Sequence, residues 1–184
     1  HFTETDKDYK RYKLTDDGIS PRGIPGHGKG IVAADSDEHD EEGHITENFD
    51  TRINMVNKRL KKKDKILEEY INPELFGSED YDILLLSWGS TKNAVLAALS
   101  DLDSEKKIGY MHLRQLAPLH QTIEEHLSKA KKSICIENNA TGQLAKIIDM
   151  ETKQTIDSCI LKYNGLPFSK EELVEKIKSE TREV

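Results

Sequence analysis

The chain has 184 residues, of which 35% are hydrophobic and 33% charged, and its formal net charge is -7. This length suits one packed domain with an appendage and excludes two full domains. The acidic balance argues against a general nucleic-acid-binding protein, because phosphate contacts need a basic face. No apolar run approaches the roughly 20 residues that span a bilayer, and no signal peptide is evident.

Residues 1–47 contain few apolar side chains and follow no sustained period. They hold six of the 11 glycines, two prolines and a dense acidic patch. A segment of this composition does not bury enough surface to fold by itself, and a long structureless segment in a compact protein is usually functional or a linker. We therefore predict an irregular arm over 1–47 that orders against a larger body.

The pattern over residues 48–72 predicts one long linker helix. Asn48 can cap its start, and the helix ends at Asn72 because Pro73 disfavours a helical residue before it. The apolar residues fall at spacings of three, four or seven and form one narrow stripe: Phe49, Ile53, Val56, Leu60, Leu67 and Ile71. For the basic run 58–63 a solvated helix face is the favoured interpretation, and a phosphate- or partner-binding stripe is the alternative.

Residues 79–184 alternate between strand and helix patterns, which predicts an α/β domain. The predicted strands are 81–87, 107–113, 133–137 and about 155–163, the last at an edge because it is less apolar. The predicted helices are 91–102, one through Ile123, Leu127 and Ala130, one carrying Leu144, Ile147 and Ile148, and one that starts at the Ser169–Glu172 capping box. This order implies a mostly parallel sheet of about four or five strands with helices on both faces.

The two cysteines, Cys135 and Cys159, lie in predicted strands. We expect both to be small buried hydrophobic residues, since neither has a neighbour at the spacing of a disulfide or metal site. Free thiols fit a reducing cytoplasm, so we predict a cytoplasmic protein.

The corner formed by Gly89, Ser90 and Thr91 follows an apolar strand and opens a helix. Such a corner can bind an anion, but it lacks the spacing of either nucleotide-binding glycine motif. A helix cap in which Ser90 accepts a hydrogen bond from a free N–H group is the favoured interpretation.

A second loop, Glu137–Gln143, should emerge at the same carboxyl edge of the sheet, where open α/β sheets bind ligands. Asn138, Asn139, Thr141 and Gln143 offer uncharged hydrogen-bonding groups. These suit recognition or interface contacts better than proton transfer, and a purely structural loop is an equal alternative.

The acidic loop 35–44 contains two histidines, His39 and His44. Its carboxylates would suit Mg²⁺ or Ca²⁺, but neither the EF-hand spacing nor an H-E-x-x-H pair is present. We favour a solvated or interface loop and predict no metal. The spacing also suggests no Ser/His/Asp or Cys/His arrangement, so no catalytic residue is predicted.

Five motifs, in order along the chain, resemble one family closely: Asp17–Gly26, Asp37–Glu47, Arg52–Lys62, Trp88–Thr91 and Glu137–Leu144. The family is the alpha subunit of 2-oxoacid:ferredoxin oxidoreductases of the 2-oxoglutarate type. The resemblance covers nearly the whole chain and is to the subunit's C-terminal part, which includes a domain similar to the C-terminal domain of transketolases.

The resemblance implies an enzyme complex that decarboxylates a 2-oxoacid on thiamine diphosphate with Mg²⁺, passes electrons through iron–sulfur clusters to ferredoxin, and forms an acyl-CoA. It implies a beta subunit and the rest of the alpha subunit as partners. The motifs for the 2-oxoacid and for the clusters are absent from this chain. We therefore expect it to bind no cofactor alone, to be inactive in isolation, and to serve assembly and the shaping of the cleft.

In that family context Ser20, Arg22 and the acidic loop would lie over the thiamine-binding domain or the partner subunit. The planar fork of Arg22 suits a bidentate carboxylate or phosphate contact, and an interdomain salt bridge is the favoured alternative. The rival hypothesis for the whole chain is a free-standing α/β module that binds a small anion or another protein. The sequence does not identify the 2-oxoacid.

Overall fold

The computed structural model describes residues 2–102 and 107–182. The chain divides into two compact units, His1–Glu69 and Tyr70–Val184. We describe each unit by itself.

The first unit contains two short strands and one long helix. Strands β1 (Phe2–Thr5) and β2 (Arg22–Gly28) pair in parallel, where the sequence predicted only irregular chain. The pairing depends on close backbone approach, because a Cβ atom on Gly28 would lie 2.4 Å from the Thr5 carbonyl oxygen. Glycine has no Cβ and tolerates the positive φ of 113° found there.

Helix α1 spans Phe49–Glu68, and the Asn48 side chain accepts a hydrogen bond from Thr51 N at 2.9 Å. The predicted N-terminal cap is therefore confirmed, while the helix ends at Glu68, four residues before the predicted end at Asn72. Its apolar stripe does not pack inward: Phe49 and Leu60 are exposed, and the buried residues of α1 are Met55 and Lys58.

The second unit is a five-stranded sheet in the order β3-β5-β4-β6-β7, parallel except for β3. The strands are β3 (Glu74–Gly77), β4 (Ile83–Trp88), β5 (Ile108–Leu113), β6 (Lys132–Glu137) and β7 (Ser158–Leu161). The helices are α2 (Lys92–Leu99), α3 (Thr122–Lys129), α4 (Gln143–Thr152) and α5 (Lys170–Glu180). The predicted α/β class, the parallel sheet and the edge position of β7 are confirmed.

Central strand β4 is buried on both sides, so its side chains alternate between two cores. Leu84 and Leu86 pack with residues of α3 and α4, whereas Ile83 and Leu85 pack with residues of α2 and α5. An apolar run without polar alternation is what a strand covered on both faces requires.

The sequence pattern did not predict β3, because an antiparallel edge strand pairs on one side only and needs no continuous apolar run. It did predict the start of α5: Ser169 Oγ accepts a hydrogen bond from Glu172 N at 3.1 Å. No helix within the described residues is both long and apolar enough to cross a membrane.

Candidate functional site at the carboxyl edge of the sheet

Strands β4 and β6 are adjacent and parallel, with Ser87 opposite Ile136, so the loops that follow them emerge at the same edge. A cavity of about 200 Å³ lies there. Its lining consists of Trp88, Gly89, Ser90, Thr91, Asn138, Asn139 and Gln143. The structure thus brings together six of the residues predicted at these two loops, whereas Thr141, exposed on the second loop, is not among the lining residues.

The Gly89–Thr91 corner is a single turn of 3₁₀ helix that leads into α2. The predicted cap by Ser90 is wrong, since no side chain caps α2. Thr91 holds the N-cap position with helical φ and ψ of -72° and -15°, and its hydroxyl donates to Trp88 O at 2.8 Å. A capping side chain usually needs an extended residue at this position.

Glu137, which was not among the predicted site residues, organises this edge through its hydrogen bonds. It ends β6, and its side chain is fully buried. Its carboxylate accepts hydrogen bonds from Leu144 N (2.9 Å), Ala145 N (3.3 Å), Asn139 Nδ2 (2.7 Å), Trp88 Nε1 (3.2 Å) and Cys135 Sγ (3.3 Å). The one available signal in the sequence is a carboxylate that ends an apolar strand just before a helix start.

These hydrogen bonds decide the charge of Glu137. Burial by itself would raise the pKa of the carboxyl group, but the bonds from Leu144 N, Asn139 and Trp88 outweigh burial and hold the pKa below its ordinary value. Glu137 is therefore an ionised carboxylate at the N-terminus of α4, where negative charge is favourable.

Asn139 fixes the rest of the loop. Its Oδ1 accepts hydrogen bonds from Thr141 N at 3.0 Å and Gly142 N at 2.8 Å. With Glu137 and Asn139 engaged within the protein, the exposed side chains of Asn138 and Gln143 remain available to an outside partner.

Ser20 and Arg22 belong to the first unit. The Ser20 hydroxyl donates to Lys13 O at 2.8 Å. Arg22 lies exposed in β2 opposite Phe2, and no ion pair of Arg22 occurs among residues 2–102 and 107–182. Contacts of either residue with another domain stay predictions.

The acidic loop uses most of its carboxylates to hold itself in place. Arg59 donates two hydrogen bonds to Glu38, at 3.0 and 2.9 Å, and lowers the pKa of that carboxyl group. Asp40 Oδ1 accepts hydrogen bonds from three backbone N–H groups, those of residues 42–44.

Ligand atoms of Asp40, Glu42 and His44 lie within 4.8 Å of one another. This grouping is the one in the described part of the chain with the composition of a metal site. Because Asp40 already accepts three hydrogen bonds from the loop backbone, a solvated or interface loop remains the favoured interpretation.

Lys58 departs from the predicted solvated basic face. It is 5% exposed, and its Nζ donates to Gly18 O at 3.2 Å. Burial lowers the pKa of Lys58 to about 8, and the nearby charges of Lys62, Arg11 and Arg59 act in the same direction. Through its hydrogen bond to Gly18, Lys58 holds the arm against α1.

The cysteines do not fit an iron–sulfur cluster, which takes four thiolate ligands. Cys135 is buried as predicted, whereas Cys159 is exposed, because β7 is an edge strand. The two residues are register partners, and burial raises the pKa of both thiols.

Comparison with known proteins identifies the family. The sequence is 33% identical to 2-oxoacid:ferredoxin oxidoreductase 1, subunit alpha, of Sulfurisphaera tokodaii over 176 residues, or 94% of this chain and 27% of that protein. It is 37% identical to the alpha subunit of 2-oxoacid:ferredoxin oxidoreductase 2 of Aeropyrum pernix over 177 residues, again 27% of that protein.

Among solved structures, 2-oxoglutarate:ferredoxin oxidoreductase from Magnetococcus marinus, with 2-oxoglutarate, coenzyme A and succinyl-CoA bound, matches with a TM-score of 0.75 and 35% identity. The match covers 94% of this chain and 30% of that one. The chain belongs to the family of 2-oxoacid:ferredoxin oxidoreductase alpha subunits.

The family resemblance of the five motifs is thereby confirmed. No protein-family model matches the sequence. The chain spans about 27% of the length of the curated alpha subunits that it matches, and those relatives are parts of multi-subunit oxidoreductases.

Replacing Glu137 by Gln tests its role at the carboxyl edge of this alpha-subunit domain. We expect Glu137→Gln to lower the free energy of unfolding by about 2–3 kcal/mol, because the amide leaves buried donors without an acceptor. Trp88 is the only tryptophan, so urea unfolding followed by its fluorescence reports this site. Glu124→Gln, on the exposed side of α3, is the control and should change little.

The pH dependence of stability in the same pair of variants gives a second test. A carboxyl group with a lowered pKa stabilises the fold fully above its unfolded pKa of about 4.3, and this stability is lost as the pH falls through the folded-state pKa. Acid unfolding of the Glu137→Gln variant should therefore be less steep. An unchanged acid limb would contradict an ionised Glu137.

Replacing Lys58 by Met tests the buried lysine. Between pH 8 and about 10.4 the unfolded chain holds this proton and the folded chain does not, so stability rises with pH in that window. Below pH 8 the wild type bears the full cost, up to about 3 kcal/mol. Lys58→Met should then be the more stable protein at pH 7 and lose its advantage toward pH 10.

Thermal unfolding followed by far-ultraviolet circular dichroism, to which α1 contributes as the longest of the described helices, measures this difference. Lys61→Met replaces an exposed lysine of the same helix and should show no such dependence on pH. A constant difference between wild type and Lys58→Met across the range would exclude the lowered pKa.

Proposed function

We propose that the chain is the C-terminal part of the alpha subunit of a 2-oxoacid:ferredoxin oxidoreductase, with 2-oxoglutarate as the first substrate to test. The complete complex would oxidatively decarboxylate the 2-oxoacid to an acyl-CoA and reduce ferredoxin in the cytoplasm. The observation that carries this proposal is the 35% identity and TM-score of 0.75 to the 2-oxoglutarate enzyme of Magnetococcus marinus across 94% of the chain.

Within that complex the 184 residues would serve assembly and shape the cleft. Two observations support a non-catalytic role. The buried carboxylate Glu137 is engaged by five donors of its own domain, and the cavity beside it is lined by uncharged side chains. Thiamine diphosphate, Mg²⁺ and the clusters would then be held by the beta subunit and by the rest of the alpha subunit. We propose no contact with nucleic acid or membrane.

The cavity at the carboxyl edge would contact another domain. At about 200 Å³ it is smaller than the roughly 300 Å³ at which ligand pockets usually begin, and it would accommodate an inserted side chain. Asn138, Thr141 and Gln143 would supply hydrogen bonds to such a partner, as would Ser90.

Activity measurements test the proposal. We expect the assembled alpha and beta subunits to reduce ferredoxin in a reaction that requires both a 2-oxoacid and coenzyme A, and we expect the isolated 184-residue chain to be inactive. Parallel assays with 2-oxoglutarate and pyruvate would identify the substrate. The reading frame upstream of His1 is the control, since the absence of a thiamine-type domain from it would refute the proposal.

The alternative, a free-standing small-anion module, rests on the same cavity. It is disfavoured electrostatically, because Glu137 already places a negative charge at the N-terminus of α4. A thermal-shift series with phosphate and small carboxylates on the isolated chain separates the hypotheses. We expect no shift, whereas stabilisation by several degrees by one anion, abolished in Asn138→Ala, would favour the module.

A further inference from the structure

Helix α1 packs with its apolar stripe turned outward. Four residues of this stripe are exposed: Phe49 by 82%, Ile53 by 56%, Leu60 by 63% and Leu67 by 37%. A lone helix face of this kind is normally the buried one. We call these four residues, together with Val56, the seam.

The inner face of the helix is polar instead. Met55 and Lys58 are its buried residues, and Lys58 lies nine residues from both Phe49 and Leu67. Nine residues are about two and a half turns of an α-helix, so Lys58 and the ends of the seam point in opposite directions. The arm therefore covers the wrong side of α1 to bury the seam.

The spacing of the seam indicates that a helix covers it. Phe49, Ile53, Val56 and Leu60 follow one another at intervals of four, three and four, and Leu67 comes seven residues later. This is the alternation of the two core positions in a coiled-coil pair, where each side chain inserts between residues of a facing helix. At 20 residues the helix is about 30 Å long.

Two hollows border the seam and leave room for the side chains of a facing helix. One, of about 560 Å³, includes Ile45 and Phe49 beside the first turn of α1. The other, of about 650 Å³, includes Leu14 and Leu60 near its middle. Leu14 and Ile45 are themselves exposed, so the apolar surface continues from the seam into both hollows.

Charge identifies the chemistry of the partner. The seam has one basic and one acidic flank. Arg52 and Arg59 lie on one side of it, where both pair with Glu38, and Asp50 and Asp64 lie on the other side. In a parallel pair, a second copy of α1 would set Lys63, which occupies a core position between Leu60 and Leu67, against its own counterpart, and in an antiparallel pair each flank would face its like-charged copy. An apolar ridge with an acidic flank on the side of the arginines and a basic flank on the side of the aspartates is complementary instead.

The area of the seam indicates whether the partner helix belongs to the same polypeptide or to a separate chain. A seam about 30 Å long and about 10 Å wide offers about 300 Å², well below the roughly 800 Å² per partner that a stable interface between separate chains buries. A helix in the same polypeptide needs less, because its effective concentration is high. The curated relatives hold nearly three-quarters of their length outside the region matched by this chain.

We propose that the seam of α1 docks an amphipathic helix with one acidic and one basic flank that lies in the part of the alpha subunit outside these 184 residues. This inference rests on the proposed function, and it names the surface of the first unit and the kind of helix that covers it. The docked helix buries the five seam residues, and its acidic flank lies beside Arg52 and Arg59.

Photo-crosslinking in the assembled complex tests the inference. Benzoylphenylalanine replaces Leu60 in the full-length alpha subunit, which is co-purified with the beta subunit, irradiated, digested and analysed by mass spectrometry. The expected product joins Leu60 to an alpha-subunit peptide outside the 184 residues that carries apolar side chains at helical spacing together with acidic and basic side chains. The control places the probe at Ile31, which is 85% exposed in the same unit and outside the helix, and should give no such product.

A crosslink to the beta subunit, a crosslink between two copies of α1, or no crosslink at Leu60 would each overturn the inference. A complex that still reduces ferredoxin under any of these outcomes leaves the proposed function intact, so the two failures are distinguishable.

A matched pair of variants measures the contribution of the seam. Ile53→Asp should lower the melting temperature of the full-length alpha subunit by about 5 °C, because it buries an unpaired charge, and Ile31→Asp should leave it unchanged. Equal melting temperatures for both variants would show that the seam is solvated and would also overturn the inference.

Discussion

The carboxylate of Glu137 lies between the end of β6 and the first turn of α4 and accepts hydrogen bonds from both the loop and the helix. It also receives the indole N–H of Trp88 at the end of β4. One buried charge therefore ties together two neighbouring strands, a loop and a helix N-terminus. A buried charge persists only when hydrogen bonds replace the lost water, and the five donors around Glu137 meet that requirement. The shape of the carboxyl edge depends on this network.

The two units differ in which side chains they bury. In the second unit, apolar strands are covered on both faces by helices, and the burial of Leu84, Leu85 and Leu86 is complete. In the first unit, a lysine is buried and the apolar residues of the helix are turned outward. The first unit thus leaves the apolar stripe of its helix exposed, as the proposed docking of a partner helix requires. This contrast agrees with a chain that spans about a quarter of its relatives' length.

Sequence patterns predicted those features that depend on neighbouring residues. The apolar runs of β4 and β6 gave the central strands, and the caps at Asn48 and Ser169 follow from side chains three residues from their donors. The features that were missed depend on distant residues. Strands β1 and β2 pair across the 16 residues 6–21. Lys58 is buried and donates to the carbonyl of Gly18, 40 residues earlier, and Cys159 is exposed because nothing pairs beyond β7.

The candidate site also has features that sequence patterns predicted and features that they missed. The meeting of the Gly89–Thr91 corner with the Glu137–Gln143 loop was predictable, because the carboxyl ends of neighbouring parallel strands share an edge. The hydrogen bonds at that edge were not predictable. A 3₁₀ turn precedes α2, so that Thr91 and not Ser90 occupies the N-cap position. The importance of Glu137 was equally hidden, because its partners Trp88 and Leu144 come from other elements.

The two margins of the sheet also limit how the domain attaches to other proteins. Each margin is a strand of four residues, β3 on one side and β7 on the other, and short edge strands discourage the addition of a strand from another chain. Strand addition between polypeptides is therefore an unfavourable mode of assembly for this domain. Side chains on loops and helices offer the alternative route of contact, and this route lacks the risk of fibrous association that open sheet edges carry.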